Sequence, residues 1–401
     1  MRKTMVWNPT LAGVGLGALL IYILACTSFS PDDSKVLYGT WDAKSGQAAV
    51  AVYDRKAGKS ELLFEPITQS VGKPDSKPAI LRPQWIEGGH NFLTVWQASD
   101  DKSDESLNLA VLPFDQRGLA RTFLLSDLGK NGAAYFEYWP LPVVGSSLFM
   151  NGESNTIIRL DLVTGQMLRH TNQQAMFLLP SPDNDRLLYL GGIDSSYMDG
   201  KNDSKGPVEC GLLNPETFAR APLFQIKDKN ASILSLAISR DAKHLAYQVE
   251  DESPPVVHLL ETGQPARTLS LASLGENTTV NLRHFSPKND ILYGSFKNHP
   301  NETNAAYGFV EIPLNGSPIR KTTLISDVDN DKDEENMKFE SFQIDISHDG
   351  KTLAVDSEWF AFGDHSIGAK DCALFLVDLT DPQRKVTKVL IPLPPNNAFD
   401  K

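Results

Sequence analysis

The sequence predicts an all-β chain folded as a seven-bladed β-propeller, and three observations carry that prediction. First, a β-rich stretch, a short Asp/Gly/Asn turn and a second β-rich stretch recur seven times along the chain. The clearest copies are Ser181-Pro-Asp-Asn-Asp-Arg-Leu-Leu-Tyr189, Ser239-Arg-Asp-Ala-Lys-His-Leu-Ala-Tyr247, Ser286-Pro-Lys-Asn-Asp-Ile-Leu-Tyr293 and Ser347-His-Asp-Gly-Lys-Thr-Leu-Ala-Val355. Second, each recurrence divides into four strand-like segments over roughly 45–60 residues, a unit too small to bury its own faces and stable only beside its neighbours. Third, 41% hydrophobic and 22% charged residues describe a globular chain, and Gly 28 and Pro 25 supply its turns.

Taken in order, the chain opens with Arg2 and Lys3, followed by an apolar, charge-free run from Leu11 to Ala25. That run is short for a membrane span and suits the core of a signal peptide. Residues 1–25 are therefore expected to be a signal peptide and 26–34 a tether, with the propeller over 35–393 and a tail over 394–401. Removing residues 1–25 leaves 36 basic against 50 acidic residues, a net charge of −14. Such a chain gains nothing from nucleic acid phosphates, so no nucleic acid partner is expected.

The fifth blade is the clearest: Ser232 to Ile238, His244 to Val249, Val256 to Leu260 and Ala266 to Leu271, with Val, Ile, Leu and Tyr in the strands. The second blade runs from Ile80 to Leu125, with Gly88-Gly89 at its first turn; the third runs from Tyr135 to His170 and the fourth from Ala175 to Ile226. The sixth spans Thr279 to Ile325 and the seventh Lys338 to Leu393. The first supplies Lys35–Trp41, Ala48–Tyr53 and Ser60–Phe64, with only Thr27 to Pro31 before them. A three-stranded first blade, or six blades and a remnant, stays open on this reading. A carboxy-terminal strand completing it is disfavoured by Pro392 and Pro394-Pro395.

The Ser-Pro-Asp-x-x-x-Leu-x-Tyr pattern resembles the repeats of TolB-like propellers, which also occur in the propellers of prolyl-oligopeptidase-type peptidases. The chain departs from both: its repeats begin within ten residues of Cys26, and it contains no Gly-x-Ser-x-Gly. Leu160-Asp-Leu-Val-Thr-Gly165 resembles the repeat turns of the lipoprotein propellers of outer-membrane assembly. Ala25-Cys26 resembles the end of a bacterial lipobox, which implies lipidation of Cys26. Thr27, not being Asp, then implies transfer to an outer membrane in a Gram-negative cell, or otherwise residence at the extracytoplasmic membrane face.

Among groups that carry chemistry, Asp327, Asp329, Asp331 and Asp333 alternate as in a calcium loop, since calcium gathers several carboxylate oxygens. Lys332 stands where such a loop needs Gly and Lys338 where it needs Glu, so a solvated connector is expected, with calcium as the alternative. Cys210 and Cys372 lie in different blades and are expected to stay reduced and buried. The eight histidines form no zinc spacing; His244 and His348 fall on blade turns. Glu137, Arg283, His284 and Asp345 fall on inner strands, where propeller enzymes assemble their sites.

Connections between second and third strands are long in blades two (Ser99–Ser106), four (Asp194–Pro207), six (Lys297–Asn304) and seven (Glu358–Lys370). They emerge on the face that also carries the connectors between blades. Tyr197, Met198, Trp359, Phe360 and Phe362 put large apolar side chains there, and that face is the expected binding surface. The expectation is a lipid-anchored scaffold at the cell envelope that binds membrane-associated proteins and needs no cofactor. An enzyme of lyase, cyclase or lactone hydrolase type at the channel mouth, and a small-molecule or glycan receptor, are the alternatives.

Overall fold

The computed structural model describes residues 21–23, 27–42, 47–64, 82–98, 106–114, 121–124, 134–135, 141–152, 156–171, 176–180, 186–191, 208–226, 233–249, 252–275, 277–298, 304–329, 339–361 and 373–391. Seven antiparallel sheets follow one another in chain order, and each pairs its strands sequentially from the channel outwards. The protein is a seven-bladed β-propeller. The fifth blade (Ile233–Ile238, His244–Val249, Val256–Glu261 and Arg267–Ser270) matches its sequence reading to within a residue or two at each end.

Apolar side chains hold neighbouring blades together in six buried clusters, five of which each join one adjacent pair. Leu37, Val50 and Val52 of blade one meet Trp85, Phe92 and Ala110 of blade two. Phe149 and Ile157 of blade three meet Leu178, Tyr189 and Phe218 of blade four. The largest cluster joins blades six, seven and one, with Phe309, Phe375 and Phe29 among its members. Burial of both sheet faces explains why the strands are rich in Val, Leu, Ile and Phe.

Blade one is complete. Its inner strand is Ser28–Phe29, paired with Leu37 and Val36, so the ring begins inside the segment read as tether. Two residues suffice because the turn that follows them fixes their place. In Ser30-Pro-Asp-Asp-Ser-Lys35, the Ser30 hydroxyl donates to Asp32 at 2.6 Å and accepts the Lys35 N–H at 3.0 Å. The same device recurs at Ser239 with Asp241, Ser286 with Asp290 and Ser347 with Asp349. The residue three after each serine is left-handed: Asp33, Ala242, Asn289 and Gly350. Ser30 to Tyr38 is thus a further copy of the repeat, and it is the sequence signal that identifies the first inner strand.

Blade three differs in another way. Its inner edge is made of two short pieces, Ala134–Tyr135 and Val143–Val144, both paired with Ser147–Gly152. Ahead of blade one, Ile21–Ile23 pairs antiparallel with Ala361–Trp359 at the end of the second strand of blade seven. Among the described residues, no helix is long and apolar enough to cross a membrane.

The inner ring as candidate functional site

An inner strand pairs with its own blade along one edge only, and the other edge faces the central channel. Backbone N–H groups on that edge need acceptors. Five junctions between blades show where these come from. The Ser28 hydroxyl accepts the Trp85 N–H at 3.3 Å, and the Gln84 amide bonds both the N–H and the carbonyl of Leu141 at 2.7 and 3.0 Å. The Ser235 hydroxyl accepts the Leu282 N–H at 3.1 Å. His284 hydrogen-bonds the backbone of Ile344, and Asp345 accepts the Phe29 N–H at 3.0 Å. Side chains of one inner strand therefore stitch the ring to the next.

Two of the four inner-strand residues singled out in the sequence come together here. Arg283 sits at a register shift in its strand, and His284 beside it pairs with Tyr293. Burial holds the His284 imidazole below its usual range, and the Asp345 carboxylate beside it works in the opposite direction. Burial pushes Asp345 above the usual carboxylate range, against the attraction of His284. Both side chains are half-buried. Glu137 lies outside the described residues.

At the junction between blades seven and one each blade keeps four strands of its own, and side chains of the turns bind the two together. Asp33 accepts the N–H groups of His348 at 2.8 Å and Asp349 at 2.9 Å, and its Oδ1 lies 2.9 Å from His348 Nδ1. Arg55 donates to the Asp33 carbonyl and to the Thr352 hydroxyl. Arginines lace the same face elsewhere: Arg186 to Asp241, Arg267 to Leu314 and Arg240 to His348, each at a backbone carbonyl. Arg384 grips the buried Glu311 through two bonds of 3.0 and 2.7 Å. His348 is thus hydrogen-bonded at its turn, and His244 lies 3.7 Å from Asp241 and 3.6 Å from Glu261.

The remaining sequence candidates divide between strand ends and residues outside the description. Trp359 and Phe360 belong to the strand Thr352–Ala361 and not to the loop expected there, because pairing with Phe339 and with Ile21–Ile23 extends the strand. Phe362, Tyr197, Met198 and Cys26 lie outside the described residues. Asp327 and Asp329 end the outer strand Arg320–Asp329 of blade six, where a connector was expected; Asp331 and Asp333 lie outside the described residues. No group of three metal-binding side chains occurs among the described residues. Cys210 is free and fully buried, and burial pushes its thiol up to about 12; Cys372 lies outside the described residues.

Fold and inner ring together define a seven-bladed β-propeller stitched by side chains at its channel. No family model matches the chain, and no curated protein matches it. Solved structures do. A protein in the "Complex of KlAtg21 with coiled-coil of AgAtg16" aligns with TM-score 0.52 at 10% identity, over 92% of this chain and 98% of that one. The Cps50 (Swd1) β-propeller domain of Myceliophteria thermophila aligns with TM-score 0.45 at 11% identity, covering 87% and 99%. An oligogalacturonate lyase in complex with manganese aligns with TM-score 0.44 at 11% identity, covering 94% and 81%. Likeness at these identities extends to the fold alone.

Proposed function

We propose that this chain is an exported, lipid-anchored propeller with TolB-like repeats, working as a protein-interaction scaffold at the cell envelope. One observation supports the reading above others. Five polar side chains of the inner strands, where a propeller enzyme would place its catalytic groups, are engaged with neighbouring blades: Ser28, Gln84, Ser235, His284 and Asp345 each bond the backbone of the next blade. A ring stitched in this way is a rigid frame that presents its loops. The partners on this reading are membrane-associated envelope proteins, met on the face that carries the connectors between second and third strands.

A second reading has one observation in its favour. His284 and Asp345 form a neighbouring acid–base pair whose proton affinities are displaced in opposite directions, the pattern of groups tuned for proton transfer. The two readings part at the end of the second strand of blade seven. Crosslinking in intact cells, followed by mass spectrometry, should capture a membrane-associated protein with the unaltered chain. The same partner should be lost with Trp359→Ala and Phe360→Ala while thermal melting shows the fold intact. An unchanged partner set would rule out this strand end as the interface. Capture of no protein by either form would refute the scaffold and leave the His284–Asp345 pair as the starting point.

A further inference from the structure

Blades five, six and seven build one side of the channel wall differently from blades two and four. The inner strands of blades two and four pair with their second strands without a break in register. Those of blades five, six and seven each carry a shift: between Ile233 and Ser235, between Leu282 and His284, and between Phe339 and Phe342. A bulge of this kind leaves one residue of the strand out of the ladder and re-aims its side chain. In blade six that residue is Arg283, directly beside His284, and both are half-buried. A second guanidinium comes from the turn of blade five. Arg240 donates from Nη1 to the His348 carbonyl at 3.1 Å, a bond that skips blade six and ends in blade seven. The charges of Arg240 and Arg283 both act on the His284 imidazole, so the two guanidinium groups stand at one place on the wall.

We propose that this wall binds a small oxyanion, a carboxylate or phosphate group, between the guanidinium groups of Arg240 and Arg283 and next to His284. The site goes beyond the scaffold reading and needs no proton transfer. Charge balance favours it. Two guanidinium groups, which stay charged throughout the working pH range, stand against one carboxylate, that of Asp345. Asp345 is already committed: its Oδ1 accepts the Ile346 N–H at 2.8 Å and its Oδ2 the Phe29 N–H at 3.0 Å. Burial also disfavours its charged form. The carboxylate of Asp33, at the same seam, is taken up by the N–H groups of His348 and Asp349. The cluster is therefore positive, within a chain whose net charge is −12. A recessed wall of one sign concentrates ligands of the opposite sign. Geometry suits an oxyanion too. Each guanidinium offers N–H donors in a fixed fork that matches two oxygens, and forks from two different blades hold the anion from two directions.

Arginine labelling of the unaltered protein tests the site. Phenylglyoxal modification, read peptide by peptide by mass spectrometry, is compared in succinate, in inorganic phosphate and in sodium chloride at matched ionic strength. Succinate or phosphate should slow labelling of Arg240 and Arg283 several-fold. Arg320, 39% exposed on the outer strand of blade six, should label at the same rate in all three salts. Protection by succinate alone assigns the site to carboxylates, and protection by phosphate alone assigns it to phosphate groups. Equal rates at Arg240 and Arg283 in every salt, or the same slowing at Arg320, would overturn the proposal. Titration calorimetry with the protecting anion supplies a second measurement. Arg283→Gln should weaken binding roughly tenfold or more, as expected for lost hydrogen bonds to a charged group, and Arg320→Gln should not. Undiminished affinity in folded Arg283→Gln would also overturn it. Where that variant fails to fold, labelling of the unaltered protein decides.

Discussion

Replacing Asp33 by alanine should weaken ring closure in a way that a matched substitution elsewhere does not. Asp33 is left-handed, with φ of 57°, and Asn289 holds the same turn position in blade six with the same φ. Alanine at either site loses the tolerance of Asp and Asn for this conformation, a cost of about 1–2 kcal/mol. Asp33→Ala alone also removes the anion that accepts the His348 and Asp349 N–H groups. Hydrogen bonds to a charged group contribute about 1.5–3 kcal/mol each. The Asp33 side chain is only 12% exposed, so water recovers part of that loss. Asp33→Ala should therefore cost about 2–3 kcal/mol more than Asn289→Ala. A chain of this size loses somewhat less than the ~2–4 °C per kcal/mol typical of 150–250 residues, so the two melting temperatures should differ by a few degrees. Amide hydrogen exchange adds a local readout, because Phe29 and His348 should lose protection in Asp33→Ala before the rest of the ring. Equal melting temperatures, with exchange at Phe29 and His348 unchanged in both variants, would show that the closure does not depend on this carboxylate.

Two further outcomes follow from single sites. Gly308→Ala places a Cβ 2.0 Å from the carbonyl oxygen of Thr322, a backbone atom that cannot swing aside, so the blade-six sheet must distort. Circular dichroism melts should show a loss of at least ~3 kcal/mol, and a wild-type melt would contradict the tight approach of these two strands. Acidification should destabilise the Ser-led turns. The hydroxyls of Ser30 and Ser34 hold the Asp32 carboxyl down to about 2. Its folded value lies below the unfolded one, so its stabilisation is present above about pH 4 and is lost as pH falls towards 2. The unfolding midpoint should drop across that window, less steeply in Asp32→Ala; parallel profiles would remove Asp32 from the account.

Much of this architecture is legible in the chain because a blade is a local object. The turn of blade five, with Ser239, Asp241 and the left-handed Ala242, is closed by hydrogen bonds between residues two to five apart. The spacing of such turns therefore locates strands directly. The first inner strand was harder to find, since Ser28 and Phe29 carry no strand pattern of their own. They are held by Leu37 and Val36 and by Asp345, which lies 316 residues from Phe29. Trp359 and Phe360 read as a loop in the sequence for the same reason: their strand is extended by Phe339 and by Ile21–Ile23, partners that composition cannot name.

The sequence by itself determined the repeat and the apolar faces on which the blades pack, because these depend on contacts within about 60 residues and on alternation along each strand, while the completeness of blade one, and with it seven full blades, came from the tertiary structure. The tertiary structure decided how the ring closes and which inner-strand side chains meet. Ser28 reaches Trp85, Gln84 reaches Leu141 and Asp345 reaches Phe29 only once seven blades are curved round one axis. Free strand edges then face the channel, and at five junctions a polar side chain that bonds such an edge comes from a neighbouring blade and not from its own.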